Sequence, residues 1–229
     1  MTNILKNSIF LGLLLFCLYI PGEAEAVWVF EDLFNSDTKS TGDLNSQDGW
    51  SGDTDYDVVT TDPYEGDQHV TVTNGNGLIA NTFTALTAGT FYIAMQKNNY
   101  VSDDGIRLYT TTNAIAIYPR FQGNNFLATD GAGTVAIIEN FSQSAWYLFE
   151  FILNGDNTYN VRYHNGTSWS SSFGPYDYTN TGSVDDISFV AGGPGGSTHT
   201  AYYDTVTDTN PIAEEATTPY VAPPLFFLR

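Results

Sequence analysis

Trp146-Tyr147-Leu148-Phe149-Glu150-Phe151-Ile152-Leu153-Asn154-Gly155-Asp156-Asn157-Thr158-Tyr159-Asn160-Val161-Arg162-Tyr163-His164 reads as two strands and the turn between them. Segments 146–153 and 158–164 are rich in aromatic and branched residues, which suit a pleated, half-buried surface. Between them, Asn154-Gly155-Asp156-Asn157 offers residue types that tolerate the positive φ of a tight hairpin turn. In 158–164, Tyr159, Val161 and Tyr163 alternate with Asn160 and Arg162, the period of 2 expected of a strand with one buried face.

The same pattern extends outward from this hairpin. Short runs rich in Val, Ile, Thr, Tyr and Phe predict strands at 28–34, 57–61, 68–73, 78–84, 90–97, 105–110, 114–121, 134–138, 185–191 and 199–207. Asn165-Gly166 predicts a further turn, the stretch from 89 to 164 reads as a meander, and 35–56, rich in Asp, Ser, Gly and Asn, reads as a long loop. No segment after residue 26 sustains an apolar period near 3.6. Many strands without intervening helices predict an all-β fold, a two-sheet antiparallel jelly-roll sandwich.

The N-terminus predicts the compartment. Lys6 precedes an apolar run over 9–20, followed by Pro21-Gly22 and the small-x-small site Ala24-Glu25-Ala26. This is the pattern of a signal peptide over 1–26, and the run is short for a bilayer span. Cleavage after Ala26 would remove Cys17, the chain's one cysteine, and start a secreted chain at Val27 without disulfide chemistry. Residues 27–208 then form one sandwich domain, and 209–229, with Pro211, Pro219, Pro223 and Pro224, a proline-rich linker or tail. With 26 acidic against 7 basic side chains and a net charge of −19, the chain repels nucleic acid and anionic membranes. Oligomeric state is left open.

Four segments carry a family resemblance. Glu31-Asp32-Leu33-Phe34 with Thr41-Gly42-Asp43-Leu44-Asn45-Ser46-Gln47-Asp48-Gly49-Trp50 resembles the opening of secreted bacterial jelly rolls of the concanavalin A-like and laminin-G-like group. Val58-Val59-Thr60-Thr61-Asp62-Pro63-Tyr64-Glu65-Gly66 is similar to their second strand and turn. The 146–164 hairpin resembles their central hairpin, and Ala201-Tyr202-Tyr203-Asp204-Thr205-Val206 their closing strand. The resemblance covers about 32–208 and implies the fold, not the ligand.

Catalytic signals are thin. Relatives on this sandwich that hydrolyse β-glucans place Glu-x-Asp-x-x-Glu along one strand, so that period 2 aims the carboxylates into one cleft. Glu65-Gly66-Asp67 begins the pattern, but Val70 stands where the second glutamate belongs, and Glu150 has Ile152 and Gly155 at the partner positions. Glu139 with Glu150 is the remaining carboxylate pair. His69, His164 and His199 lack metal-ligand spacing and read as surface or strand-end residues. Asp53-Thr54-Asp55-Tyr56-Asp57 has alternating oxygens, yet Val58 replaces the glycine a calcium loop requires.

Two site expectations follow. In 28–34 and 199–207, alternation puts Asp32 and Asp204 on apolar faces, Asp204 beside Tyr202 and Val206, where a structural calcium ion joining first and last strands would offset their burial. Arg107, Arg120 and Arg162 fall inside predicted strands, in phase with Tyr109, Tyr118 and Asn160. With Gln96, these residues predict a ligand stripe for a polysaccharide, provided their strands share a sheet. Cross-strand ion pairing with Glu150 is the other reading of these arginines. The functional expectation is a secreted carbohydrate-binding or adhesion module with no catalytic residues assigned. The alternatives are a polysaccharide hydrolase or lyase on the same fold, and a structural cell-surface domain.

Overall fold

The computed structural model describes residues 31–100, 102–192 and 199–212. The expected signal peptide, Trp28 and Phe30 of the first predicted strand, and all but the start of the tail lie outside the described residues.

Among the described residues the elements are all strands. They are β1 (Gly42–Asp43), β2 (Ser51–Gly52), β3 (Tyr56–Val59), β4 (His69–Thr73), β5 (Asn76–Leu86), β6 (Ala88–Lys97), β7 (Asp104–Thr110) and β8 (Ile115–Ile117). There follow β9 (Arg120–Gln122), β10 (Asn125–Asp130), β11 (Gly133–Ile138), β12 (Tyr147–Asn154), β13 (Thr158–His164), β14 (Phe173–Asp177), β15 (Val184–Gly192) and β16 (Thr200–Thr207). They form two antiparallel sheets of 8 strands. The first has the order β1-β3-β4-β16-β6-β12-β13-β14; the second runs β11-β10-β9-β7-β15-β5-β2, with β8 paired to β7.

The 146–164 hairpin forms as its sequence predicts. Leu153 pairs with Tyr159 and Phe151 with Val161, and the turn places Gly155 at φ 82° and Asn157 at φ 63°. The inward phase of β12, Tyr147, Phe149 and Phe151, meets the second sheet across the core. Phe126 of β10 stacks on Phe149 with centroids 4.0 Å apart, and Phe189 of β15 stacks on Tyr203 of β16 at 4.4 Å. Lys97, fully buried, ties the layers at one end, its ammonium 3.2 Å from the carboxylate of Asp104 on β7.

Several expectations need correction. The stretch from 89 to 164 is not one meander, because the chain leaves β6 for the second sheet, builds β7 to β11 there, and returns at β12. The predicted strand 114–121 is two strands, since Pro119 has no N–H for the ladder; its carbonyl instead accepts Ile106 N–H at 3.1 Å. Within 35–56 lie the two-residue strands β1 and β2. The strands β10 and β14 were not foreseen, because asparagine, aspartate and Gly174-Pro175 dilute their β signal. Finally, β16 carries a bulge between Asp204 and Thr207, with Thr205 at φ 52°. The extra residue turns Val206 into the core and leaves Tyr202 and Asp204 facing outward, so Asp204 and Val206 do not share a face.

Candidate functional site

Antiparallel register aligns the outward side chains of the first sheet into rows. One row reads Asp57, Thr71, Tyr202, Gln96 across β3, β4, β16 and β6, and Trp146 stands at its end, just before β12. Beside it, His69 lies opposite Val59, and Asp204, Ala94, Leu148 and His164 continue across the remaining strands. A third row is Thr207, Tyr92, Glu150, Arg162.

Aromatic rings line this face on both sides of a small apolar floor formed by Ala94 and Leu148. Trp146 lies 5.8 Å from His69, edge-on, 6.2 Å from Tyr202 and 5.9 Å from Tyr64, which comes from the connection 60–68. Opposite, Trp169 sits 5.4 Å from His164 and 6.3 Å from Tyr92, with the Arg162 guanidinium 4.5 Å above its ring. Trp146, Trp169, Tyr64 and Tyr202 are all partly exposed. At the β1–β3 edge, an open depression of about 430 Å³ lined by Gly42, Asp57 and Thr60 adjoins the Asp57 row.

Three polar arrangements organise the trough. The Asp204 carboxylate accepts the backbone N–H of Tyr64 at 2.8 Å, Glu65 at 3.1 Å and Thr205 at 2.8 Å, while Trp146 Nε1 donates to the Asp62 carbonyl at 3.2 Å. These bonds hold the 60–68 connection against the sheet. Burial pushes the Asp204 carboxyl up to about 7, against the lowering effect of its amide donors. Glu150, 3% exposed, accepts the Tyr92 hydroxyl at 2.6 Å and two Arg162 donors, Nε and, at 3.0 Å, Nη2. Its oxygens are thus committed to a charge-assisted network. His69 is 1% exposed and neither ring nitrogen has a hydrogen-bond partner; burial pushes it down to about 4, so the imidazole is neutral at physiological pH. The surface reading of His69 and His199 is therefore corrected, since both are 1% exposed, while the strand-end reading holds: His69 opens β4 and His199 directly precedes β16. Glu139 follows β11 of the second sheet, so it does not form a carboxylate pair with Glu150 of the first.

The residues of the expected stripe are divided between the sheets. Gln96 and Arg162 lie on the trough face, where Gln96 Nε2 donates to the Ser144 carbonyl at 2.9 Å and Arg162 makes the foreseen pair with Glu150. Arg107, Tyr109, Tyr118 and Arg120 gather on the outer face of the second sheet. The shared-sheet condition fails because the chain crosses layers after β6. Trp146, Trp169, Tyr64, Tyr202 and His69 were missed. Only the outward phase of 146–150 and of 160–164 hinted at them, and the register joining these segments is not encoded locally.

Asp32 and Asp204 are both buried, as alternation predicted, but lie on opposite sides of the sheet. Asp32 bridges Val206, and its carboxylate receives Lys39 Nζ at 2.8 Å, Trp50 Nε1 at 2.7 Å and Phe34 N–H at 3.0 Å. Asp204 pairs with Ala94 on the outer face. A lysine and backbone amides stand where a cation would, so this donor set does not fit one calcium ion joining the two. Among the described residues no cluster of three or more His, Cys, Asp or Glu is arranged to hold a metal.

No family model matches the sequence. No curated protein matches it either. Similarity appears among solved structures. An endo-β-1,4-glucuronan lyase from the fungus Trichoderma reesei superposes with a TM-score of 0.53 at 13% identity, covering 78% of this chain and 94% of the lyase. The fold is a two-sheet jelly-roll sandwich. A laminarinase from Flavobacterium sp. UMI-01 gives 0.53 at 9% identity over 78% of this chain and 98% of its own. A sialidase gives 0.54 at 10% identity over 75% of this chain, which spans only 18% of that protein. At these identities the likeness concerns the sandwich alone.

Proposed function

We propose that the aromatic trough on the first sheet binds a polysaccharide, making this domain a carbohydrate-binding module. The observation that carries this reading is the convergence of partly exposed Trp146, Trp169, Tyr64 and Tyr202 around an apolar floor, with Gln96, Glu150 and Arg162 among them. Flat rings stack on the apolar faces of sugars, and fixed polar groups beside them orient hydroxyls. That a lyase and a laminarinase share the sandwich supports a carbohydrate as the ligand.

His69 favours a second reading, catalysis on the bound polymer, because both nitrogens of its imidazole are unpaired beside Tyr202, though the burial that lowers its pKa makes it a weak base. It lies under the rings, however, and Glu150 is held by Arg162 and Tyr92, which leaves binding the better-supported activity. A panel of neutral and acidic polysaccharides separates the two. Binding by wild type should weaken about tenfold or more in Trp146→Ala and in Tyr202→Ala, the scale at which aromatic anchors contribute, with no release of new chain ends. Equal binding by wild type and both folded variants would refute the trough. New reducing or unsaturated ends, lost in His69→Gln, would replace binding with turnover.

A further inference from the structure

The outer face of the second sheet holds a feature the trough does not explain. Tyr118, between β8 and β9, is flanked by two arginines. The Arg107 guanidinium carbon lies 4.4 Å from its ring centroid and that of Arg120 4.7 Å. Tyr109 stands beside them, its hydroxyl 3.4 Å from Arg107 Nη1, and the Arg120 Nη1 reaches the Tyr118 carbonyl at 3.3 Å.

Charge pairing makes the cluster unusual. Among the described residues, Lys39, Lys97, Arg120 and Arg162 each have a carboxylate within 4.0 Å, and Arg107 has none. The Arg120 partner is weak, because Asp103 lies 3.9 Å away and its same oxygen accepts Gln122 Nε2 at 2.8 Å. In a chain with 26 acidic side chains, a half-buried arginine without one is not explained by a shortage of partners. Neither Arg107 nor Arg120 has a hydrogen-bond partner for its buried Nε. The ring therefore lies against both guanidinium groups; with one N–H of each Nη1 directed at Tyr109 or at the Tyr118 carbonyl, the remaining terminal N–H groups are the donors left for an incoming group.

We propose that Arg107, Tyr118 and Arg120 form a second ligand site, separate from the trough, for a saccharide bearing an oxyanion. Two forks fixed on one ring match the planar oxygens of a uronate carboxylate, and a sulfate ester presents the same acceptors. Tyr109 supplies a ring for the sugar, while Tyr118, covered by both guanidinium groups, holds them in place. The net charge of −19 repels such a polymer at long range, but the Debye length of about 8 Å at physiological salt confines that repulsion, while contact at the clamp is screened far less.

The test measures affinity for a polyuronate, a sulfated glucan and the same glucan unsulfated, using the full sandwich at physiological salt. At least one charged polymer should bind, and Arg107→Gln and Arg120→Gln should each weaken that binding tenfold or more. Arg107→Lys, which keeps the charge and loses the fork, should give a smaller loss, with all variants retaining wild-type circular dichroism and melting. The unsulfated glucan, compared between wild type and Trp146→Ala, reads the trough, and the loss in the arginine variants on the charged polymers reads the clamp, so failure of the one and failure of the other are distinguished. The polyuronate and sulfated arms tell which oxyanion is preferred. Absence of binding to both charged polymers, or equal binding by wild type and the Arg107 and Arg120 variants, overturns the proposal.

Discussion

His69 and Asp204 face outward on adjacent strands, and burial drives their titrations in opposite directions. His69 drops from 6.5 to about 4, so between these values the unfolded chain binds a proton that the folded one refuses. Its contribution to stability is full above about 6.5 and is lost as pH falls. Asp204 rises from 3.8 to about 7, so in that window the folded chain holds the extra proton, and stability declines as pH rises until it levels off above 7. Each slope is at most about 1.4 kcal/mol per pH unit, and between about 4 and 6.5 the two oppose each other. His69→Gln should therefore leave a stability that, relative to wild type, falls with pH across about 4–6.5. Asp204→Asn should leave one that, relative to wild type, rises with pH up to about 7. Urea unfolding of the three proteins at several pH values checks this, and parallel pH profiles for all three would contradict it.

At the scale of elements, the pairing of β7 with β9 builds the arginine clamp and depends on a close backbone approach. A Cβ on Gly105 would lie 2.2 Å from the Pro119 carbonyl oxygen and 2.6 Å from Arg120 Cα. Only glycine lets these strands meet, with Gly105 opposite Arg120. Gly105→Ala should push the strands apart, costing about 1–3 kcal/mol as overpacking does, and should displace Arg120 from Tyr118. Thermal melting reads the first effect and affinity for the charged polymer the second; a variant unchanged in both would show that the ladder tolerates the methyl group. The bulge in β16 serves the opposite face, since it keeps Tyr202 and Asp204 in the trough while Val206 fills the core.

For the whole molecule, the structure accounts for both buried aspartates with its own donors. Chelation should accordingly leave the melting temperature unchanged. A fall of several degrees on chelation, reversed by calcium, would restore the structural ion to the argument. Export remains an expectation carried by residues 1–26. N-terminal sequencing of protein recovered outside the cell should begin at Val27, and recovery of intact, membrane-bound Met1 would reverse that reading.

The fold class was legible in the sequence because strand period and turn chemistry are local properties. Val161 and Tyr163 alternate with Arg162 whatever lies beside them, and Asn154-Gly155 turns the chain whatever it joins. The burial of Asp32 and the outward direction of the arginine phases were legible for the same reason. Which strands share a sheet was not, because that depends on pairings such as Tyr202 with Gln96, or Arg107 with Ser188, between residues far apart in the chain. So a stripe that looked continuous in sequence became two surfaces, with Arg162 committed to Glu150 in an aromatic trough and Arg107 left without a carboxylate on the opposite face. Alternation assigns each side chain a face of its own strand; only the crossing of the chain between layers, and the bulge at Thr205, decides which face of the molecule that becomes.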